Sequence, residues 1–212
     1  GDNSSADGCD CGEPEIHMIR DLHVGVITSS LGGHGGTLCT PEHGDEYWNQ
    51  TQNDAGHLLA RDRTGAAVQT WNDVGFLSWD PQAVARNPDV TVPGIADRST
   101  LITSFRDLVT GAGERGCGYE ASLEAWYRFL IDPEPPDAVL VNRDTQMAEP
   151  RGIDQVLLDQ RAQFLRPDSL LAIIMLSDEN DCSVQDSGFG YFVNDTREGS
   201  MPRSTSVCDE NP

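Results

Sequence analysis

Leu170-Leu171-Ala172-Ile173-Ile174-Met175-Leu176 is the longest apolar run in the chain, and Ser177-Asp178-Glu179-Asn180-Asp181-Cys182-Ser183 follows it directly. Apolar at all seven positions, the run cannot have one wet face. It therefore reads as a central parallel strand covered by helices on both sides. A helical pattern precedes it, from about Ile153 to Leu165, with Ile153, Val156, Leu157, Phe164 and Leu165 inward. Pro167-Asp168 breaks that pattern before the run begins. Helix, breaker, buried strand and polar loop in this order are the rhythm of a doubly wound sheet. The predicted fold class is α/β: Rossmann-like, doubly wound, mostly parallel and flanked by helices, with long loop insertions and disulfides.

Upstream of this unit the same rhythm is weaker. Ser99 is a plausible N-cap for a helix that turns Leu101, Ile102, Phe105, Leu108 and Val109 to one face, and Gly111-Ala112-Gly113 stops it. A second helix is predicted from about Tyr119 to Ile131, with Tyr119, Leu123, Trp126, Tyr127 and Leu130 at helical spacing. Pro133-Glu134-Pro135-Pro136 ends it, and residues 137–152 form an insertion with one short apolar run, Ala138–Val141. His23–Ser29 reads as a strand that runs into the Gly-rich loop Leu31–Thr37. Weaker strand signals lie at His57–Ala60 and Gly75–Trp79. The chain divides into a loop-rich lead-in over 1–20, an α/β domain over 21–195 with insertions at about 40–98 and 133–152, and a C-terminal extension over 196–212.

Fourteen arginines and no lysine stand against thirty-five acidic residues, a net charge of −21 over 212 residues. Such a surface repels a polyanion and no basic stripe is present, which excludes nucleic acid as a partner. Anionic membrane surfaces are disfavoured for the same reason. No segment approaches the ~18 consecutive apolar residues of a membrane span. The polar N-terminus, Gly1-Asp2-Asn3-Ser4-Ser5, has no signal-peptide core, so an excerpt or a processed fragment is expected.

Six cysteines (Cys9, Cys11, Cys39, Cys117, Cys182, Cys208) allow fifteen complete pairings. An even count in Gly- and Asp-rich loops suits an oxidising compartment, as in secreted or cell-surface proteins. His34, Cys39 and His43 are the right elements for zinc, but their spacing matches no zinc pattern. Gly33-His34-Gly35-Gly36 is similar to a lipase oxyanion loop, yet no Gly-x-Ser-x-Gly elbow accompanies it. Without lysine a Walker-type phosphate site cannot be built in the usual way. Trp48 and Trp71 sit in polar sequence, where the alternative to packing is stacking on a sugar.

The acidic turn after Leu176 is the candidate site. Asp178, Glu179 and Asp181 leave the carboxyl end of the predicted strand, the edge where open α/β sheets bind ligands. Clustered oxygens suit a hard cation, Mg²⁺ or Ca²⁺. The alternative at this point is a solvated acidic turn.

An all-apolar strand ending in Ser-Asp-Glu-Asn-Asp resembles the fourth strand of a von Willebrand factor type A domain. Gly111-Ala112-Gly113-Glu114-Arg115-Gly116-Cys117-Gly118-Tyr119-Glu120-Ala121-Ser122-Leu123 stands where that family has its Gly-rich loop and helix. Asp21–Ser29 resembles its second strand. Cys117 and Cys182 point more narrowly to a cysteine-bearing branch of secreted or surface bacterial proteins. The resemblance implies a metal-ion-dependent adhesion site in which Asp178 alone carries over by position as a ligand. Glu120, in the neighbourhood of the usual loop threonine, replaces it as a water-mediated ligand, and Glu179 and Asp181 are candidates from the acidic turn itself. It also implies a Cys117–Cys182 disulfide, whose ~65-residue loop would contribute roughly 4 kcal/mol in the chain-entropy model. The family's Asp-x-Ser-x-Ser strand is missing from these residues; Asp2-Asn3-Ser4-Ser5-Ala6 is a partial echo with no apolar strand before it. An upstream segment supplying that strand is therefore one expected partner, beside a protein or glycan ligand at the cell surface. The expected function is a non-enzymatic adhesion or binding module. The alternatives are a metal-dependent hydrolase using Asp178, Glu179 and Asp181 with a histidine of the 34–57 region, and a structural calcium-stabilised domain.

Overall fold

The computed structural model describes residues 19–37, 53–114, 119–178 and 180–194. Strand β1 (Leu22–Gly25) pairs antiparallel with β2 (Phe76–Trp79), Leu22 opposite Trp79 and Gly25 opposite Phe76. A short helix α1 (Ala83–Arg86) and the longer α2 (Arg98–Gly111) follow, then α3 (Ser122–Leu130). The predicted insertion is a hairpin, β3 (Ala138–Val141) against β4 (Ala148–Arg151). Helix α4 spans Gln155–Phe164, and a 3-10 turn closes the described chain at Gly190–Asn194.

Period-2 alternation along β2 organises the core. Phe76 packs with Leu58, Phe129 of α3 and Leu157 of α4 on one side of the ribbon. Leu77 packs with Leu59 and Leu108 of α2 on the other. Helices thus cover both faces of the two-stranded ribbon. His57–Ala60, a weak strand signal in the sequence, runs beside β1 as irregular chain: the Leu59 N–H donates to the Val26 carbonyl over 2.8 Å. Its Leu58 and Leu59 serve one core side each. Helix α2 ends against this segment, where Arg61 Nε donates to the Gly111 carbonyl. A Cβ on Gly111 would lie 2.0 Å from the Arg61 carbonyl oxygen, so the helix can end here only on glycine.

The doubly wound, mostly parallel sheet is not present. The described residues form two separate two-stranded antiparallel sheets. Residues 170–176 are irregular, pair with no strand and are exposed throughout. Seven apolar side chains express a demand for cover, but a ladder also needs a neighbouring strand to receive its hydrogen bonds. None lies beside this run among the described residues. Three helical faces are corrected with it. Ile102, Phe105 and Val109 of α2, Leu123 and Tyr127 of α3, and Ile153 and Val156 at α4 are exposed, while Leu108, Phe129 and Leu157 carry the packing. The cap of α2 is Asp97, two residues before the predicted Ser99. Its Oδ2 takes the Ser99 hydroxyl (2.6 Å), the Thr100 N–H (2.7 Å) and the Thr100 hydroxyl (2.8 Å). These bonds, the Ser99 hydroxyl foremost, lower its pKa to about 2.

Candidate functional site

Three segments far apart in sequence are stitched together at one end of α3. The first leaves β1. Thr28 donates its hydroxyl to Asp54 Oδ2 (2.7 Å), and Asp54 is clamped by Arg61 through Nη1–Oδ1 (2.5 Å) and Nη2–Oδ2 (3.0 Å). That fixed turn presents Ser29, whose hydroxyl donates to Glu120 Oε2 and whose carbonyl accepts the Ala121 N–H over 2.9 Å. The second segment is Tyr119–Ala121, leading into α3. The third is the acidic turn, where the Cys182 N–H donates to the Glu120 carbonyl over 2.8 Å.

Helix α3 has no capping side chain of its own at Ala121. Asp181 and Ser183 supply the cap instead. Asp181 Oδ1 accepts the Leu123 N–H (2.8 Å), and the Ser183 hydroxyl oxygen accepts the Glu124 N–H (3.2 Å). Ser183 returns its own hydroxyl proton to Asp181 Oδ1 (2.9 Å). Slight desolvation works against the Asp181 charge, but the bonds from Leu123 and Ser183 outweigh it and hold the carboxyl below the usual range.

Two of the predicted ligands, Glu120 and Asp181, are thus drawn into one neighbourhood and put to separate uses. Asp181 caps α3, Glu120 receives Ser29, and Asp178 is exposed with no hydrogen bond to a described residue. Glu179 and Cys117 lie outside the described residues, so the Cys117–Cys182 pairing does too. Cys182 is half-buried and makes no disulfide among the described residues. No group of three or more His, Cys, Asp or Glu side chains suited to a metal forms among them either. Two of the three described carboxylates, Glu120 and Asp181, already accept hydrogen bonds within the protein.

A second polar cluster had no sequence signal beyond one i,i+4 pair. His34 Nδ1 lies 2.6 Å from Asp186 Oδ1, and Arg128 Nη2 bonds both Asp186 Oδ2 and Glu124 Oε1, the latter at 3.1 Å. The Arg128 side chain is 5% exposed, and its Nε has no hydrogen-bond partner. Burial pushes the Asp186 carboxyl up, but His34 and Arg128 together bring it below the ordinary value. Glu124 moves the other way, raised by burial and by the Asp186 charge. The cluster ties the Gly-rich loop, α3 and the chain after Ser183 into one unit. His57 sits 2.6 Å from Asp154, whose other oxygen caps α4 at Leu157 (2.9 Å). Each of these histidines is therefore bonded to a carboxylate outside the acidic turn. No helix among the described residues is long and apolar enough to cross a membrane. Neither a protein-family model, nor a curated protein, nor a solved structure matches this chain.

Proposed function

We propose that this chain is a non-enzymatic binding module of the secreted or cell-surface type, which captures a protein partner by strand addition along residues 170–176. One observation carries this reading: seven consecutive apolar residues stand in solvent, with Ile174 85% and Leu176 86% exposed. None of the seven makes a main-chain hydrogen bond to a described residue. Contiguous exposed apolar surface marks interaction sites, and unpaired main chain is what an added strand recognises. Asp178, uncommitted at the end of the run, and the net charge of −21 favour a partner strand with a basic end. A partner cation at Asp178 takes the place that a metal ion would have in an adhesion site. The likeness of segments 21–29, 111–123 and 177–182 to type A domains supports a surface-binding role, although the parallel sheet of that family is not formed here.

The test uses an immobilised array of seven-residue strand peptides, alternating Val or Ile with Thr and carrying a terminal Lys. Wild type should capture them. Ile174→Lys/Leu176→Lys should lose capture while its stability changes by no more than about 0.5 kcal/mol, as for exposed sites. Loss of the cooperative unfolding transition in the double variant would show that the run is core and would overturn the proposal. So would a wild type that captures no peptide.

A further inference from the structure

We propose that the cleft beside Trp71 is a binding site for a neutral saccharide. It lies between the 3-10 turn Trp71–Asp73, the chain at 92–95 and the first turns of α2, with a cavity volume of about 430 Å³. That falls within the ~300–1,000 Å³ of ordinary small-molecule sites. It is separate from residues 170–176 and does not rest on their role.

The lining argues for the ligand class. Trp71 supplies an aromatic surface held in place from two directions. Its indole Nε1 donates to the Val92 carbonyl (3.1 Å), and its ring stacks on Phe76 at a centroid distance of 5.4 Å. Around it stand Gln69, Asn72, Asp73, Ser78 and Ser104. Amides and hydroxyls both donate and accept, as sugar hydroxyls do, and an aromatic ring suits the apolar C–H face of a pyranose. Ser78 also lines the cavity, and its hydroxyl makes no hydrogen bond to a described residue and is still reached by solvent. A ligand hydroxyl would take the place of that solvent. The side chains of Gln69, Asn72 and Ser104 likewise bond to no described residue.

The mouth of the cleft is strained. Asn72 and Asp73 are consecutive non-glycine residues in left-handed conformation, φ 49° and 58°. The turn is held by Val74 N–H donating to the Trp71 carbonyl (3.1 Å) and Gly75 N–H donating to the Thr70 hydroxyl (3.1 Å). Such conformations persist where the surroundings impose them, commonly at ligand sites. Charge narrows the class further. No arginine or histidine lines the cleft, Asp73 does, and the whole chain is strongly negative. An anionic ligand, whether a sulfated sugar or a nucleotide, would meet repulsion without a compensating cation.

The probes are methyl glycosides of glucose, mannose, galactose and N-acetylglucosamine, read by tryptophan fluorescence and by saturation-transfer NMR. Asn72→Gly is the key variant, since glycine accepts the left-handed conformation and the fold is kept while the amide is removed. Gln69→Ala, at an exposed position, is the second. Wild type should bind at least one glycoside saturably, and each variant should bind at least tenfold more weakly with an unchanged melting temperature. Three outcomes would overturn the proposal: no saturable binding in the tens of millimolar, equal binding by wild type and Asn72→Gly, or preference for adenosine or a sulfated glycoside over every neutral one. None of them bears on peptide capture at 170–176, so the two proposals fail separately.

Discussion

Asp181 Oδ1 accepts the backbone N–H of Leu123 at 2.8 Å, so helix α3 is capped by a residue 58 positions further along the chain. The cap is tertiary, and it explains why a carboxylate placed for a cation in the sequence is spent on structure. Removing it should cost stability whether or not divalent ions are present. Asp181→Ala is expected to lose about 1 kcal/mol, the ordinary worth of a helix cap, while Asp178→Ala changes nothing measurable. Urea midpoints of both variants, with and without EDTA, check this. Equal losses, or an EDTA effect seen only in wild type, would contradict the assignment.

Arg128 bonds both Asp186 and Glu124, whereas His34 bonds Asp186 alone. Removing Arg128 leaves Glu124 with no bonded cation among the described residues and Asp186 with His34 alone, and breaking a buried pair in this way typically costs about 3–5 kcal/mol. Arg166→Met is the control, because its ion pair with Asp21 is substantially exposed and should cost under about 1 kcal/mol. Comparable losses for Arg128→Met and Arg166→Met in guanidinium unfolding would refute the ranking.

His23 gives a pH dependence of definite sign. Burial among Phe76, Phe164 and Trp71 lowers its pKa from 6.5, although the Phe164 carbonyl on Nδ1 and Asp21 pull upward. Arg166 adds to the lowering. A group with a depressed folded value takes its proton first in the unfolded chain. Its contribution is therefore complete above pH 6.5 and declines as pH falls from there towards the folded value. The melting temperature should drop as pH falls below 6.5, and His23→Phe should flatten that slope. A slope unchanged in the variant would remove His23 as its source.

What the sequence disclosed divides along physical lines. The helices were legible because breakers frame them: Gly111 ends α2 and Pro133 follows α3. The ribbon was half legible, since Leu22–Gly25 and Phe76–Trp79 both carry strand signals but nothing local shows that they pair antiparallel. The run 170–176 was misread as a buried strand because apolar composition states what a segment would bury and not whether a neighbour exists. The bonding of the site residues was hidden for a related reason. Asp181, Ser183 and Glu120 meet as expected of the loops, yet their partners, Leu123, Glu124 and Ser29, are fixed by tertiary packing. Asp186 and His34, 152 positions apart, left no local trace of their pairing.

The most direct measurement is amide hydrogen exchange of the free chain over residues 171–176, compared with β1. If the run is an open docking edge, its amides exchange at nearly unprotected rates while the β1 amides that donate to β2 are slow. Addition of a captured strand peptide then slows alternate amides of the run and leaves β1 unchanged. Protection of residues 171–176 in the free chain equal to that of β1 would mean that the segment is already paired, and would contradict its assignment as the binding edge.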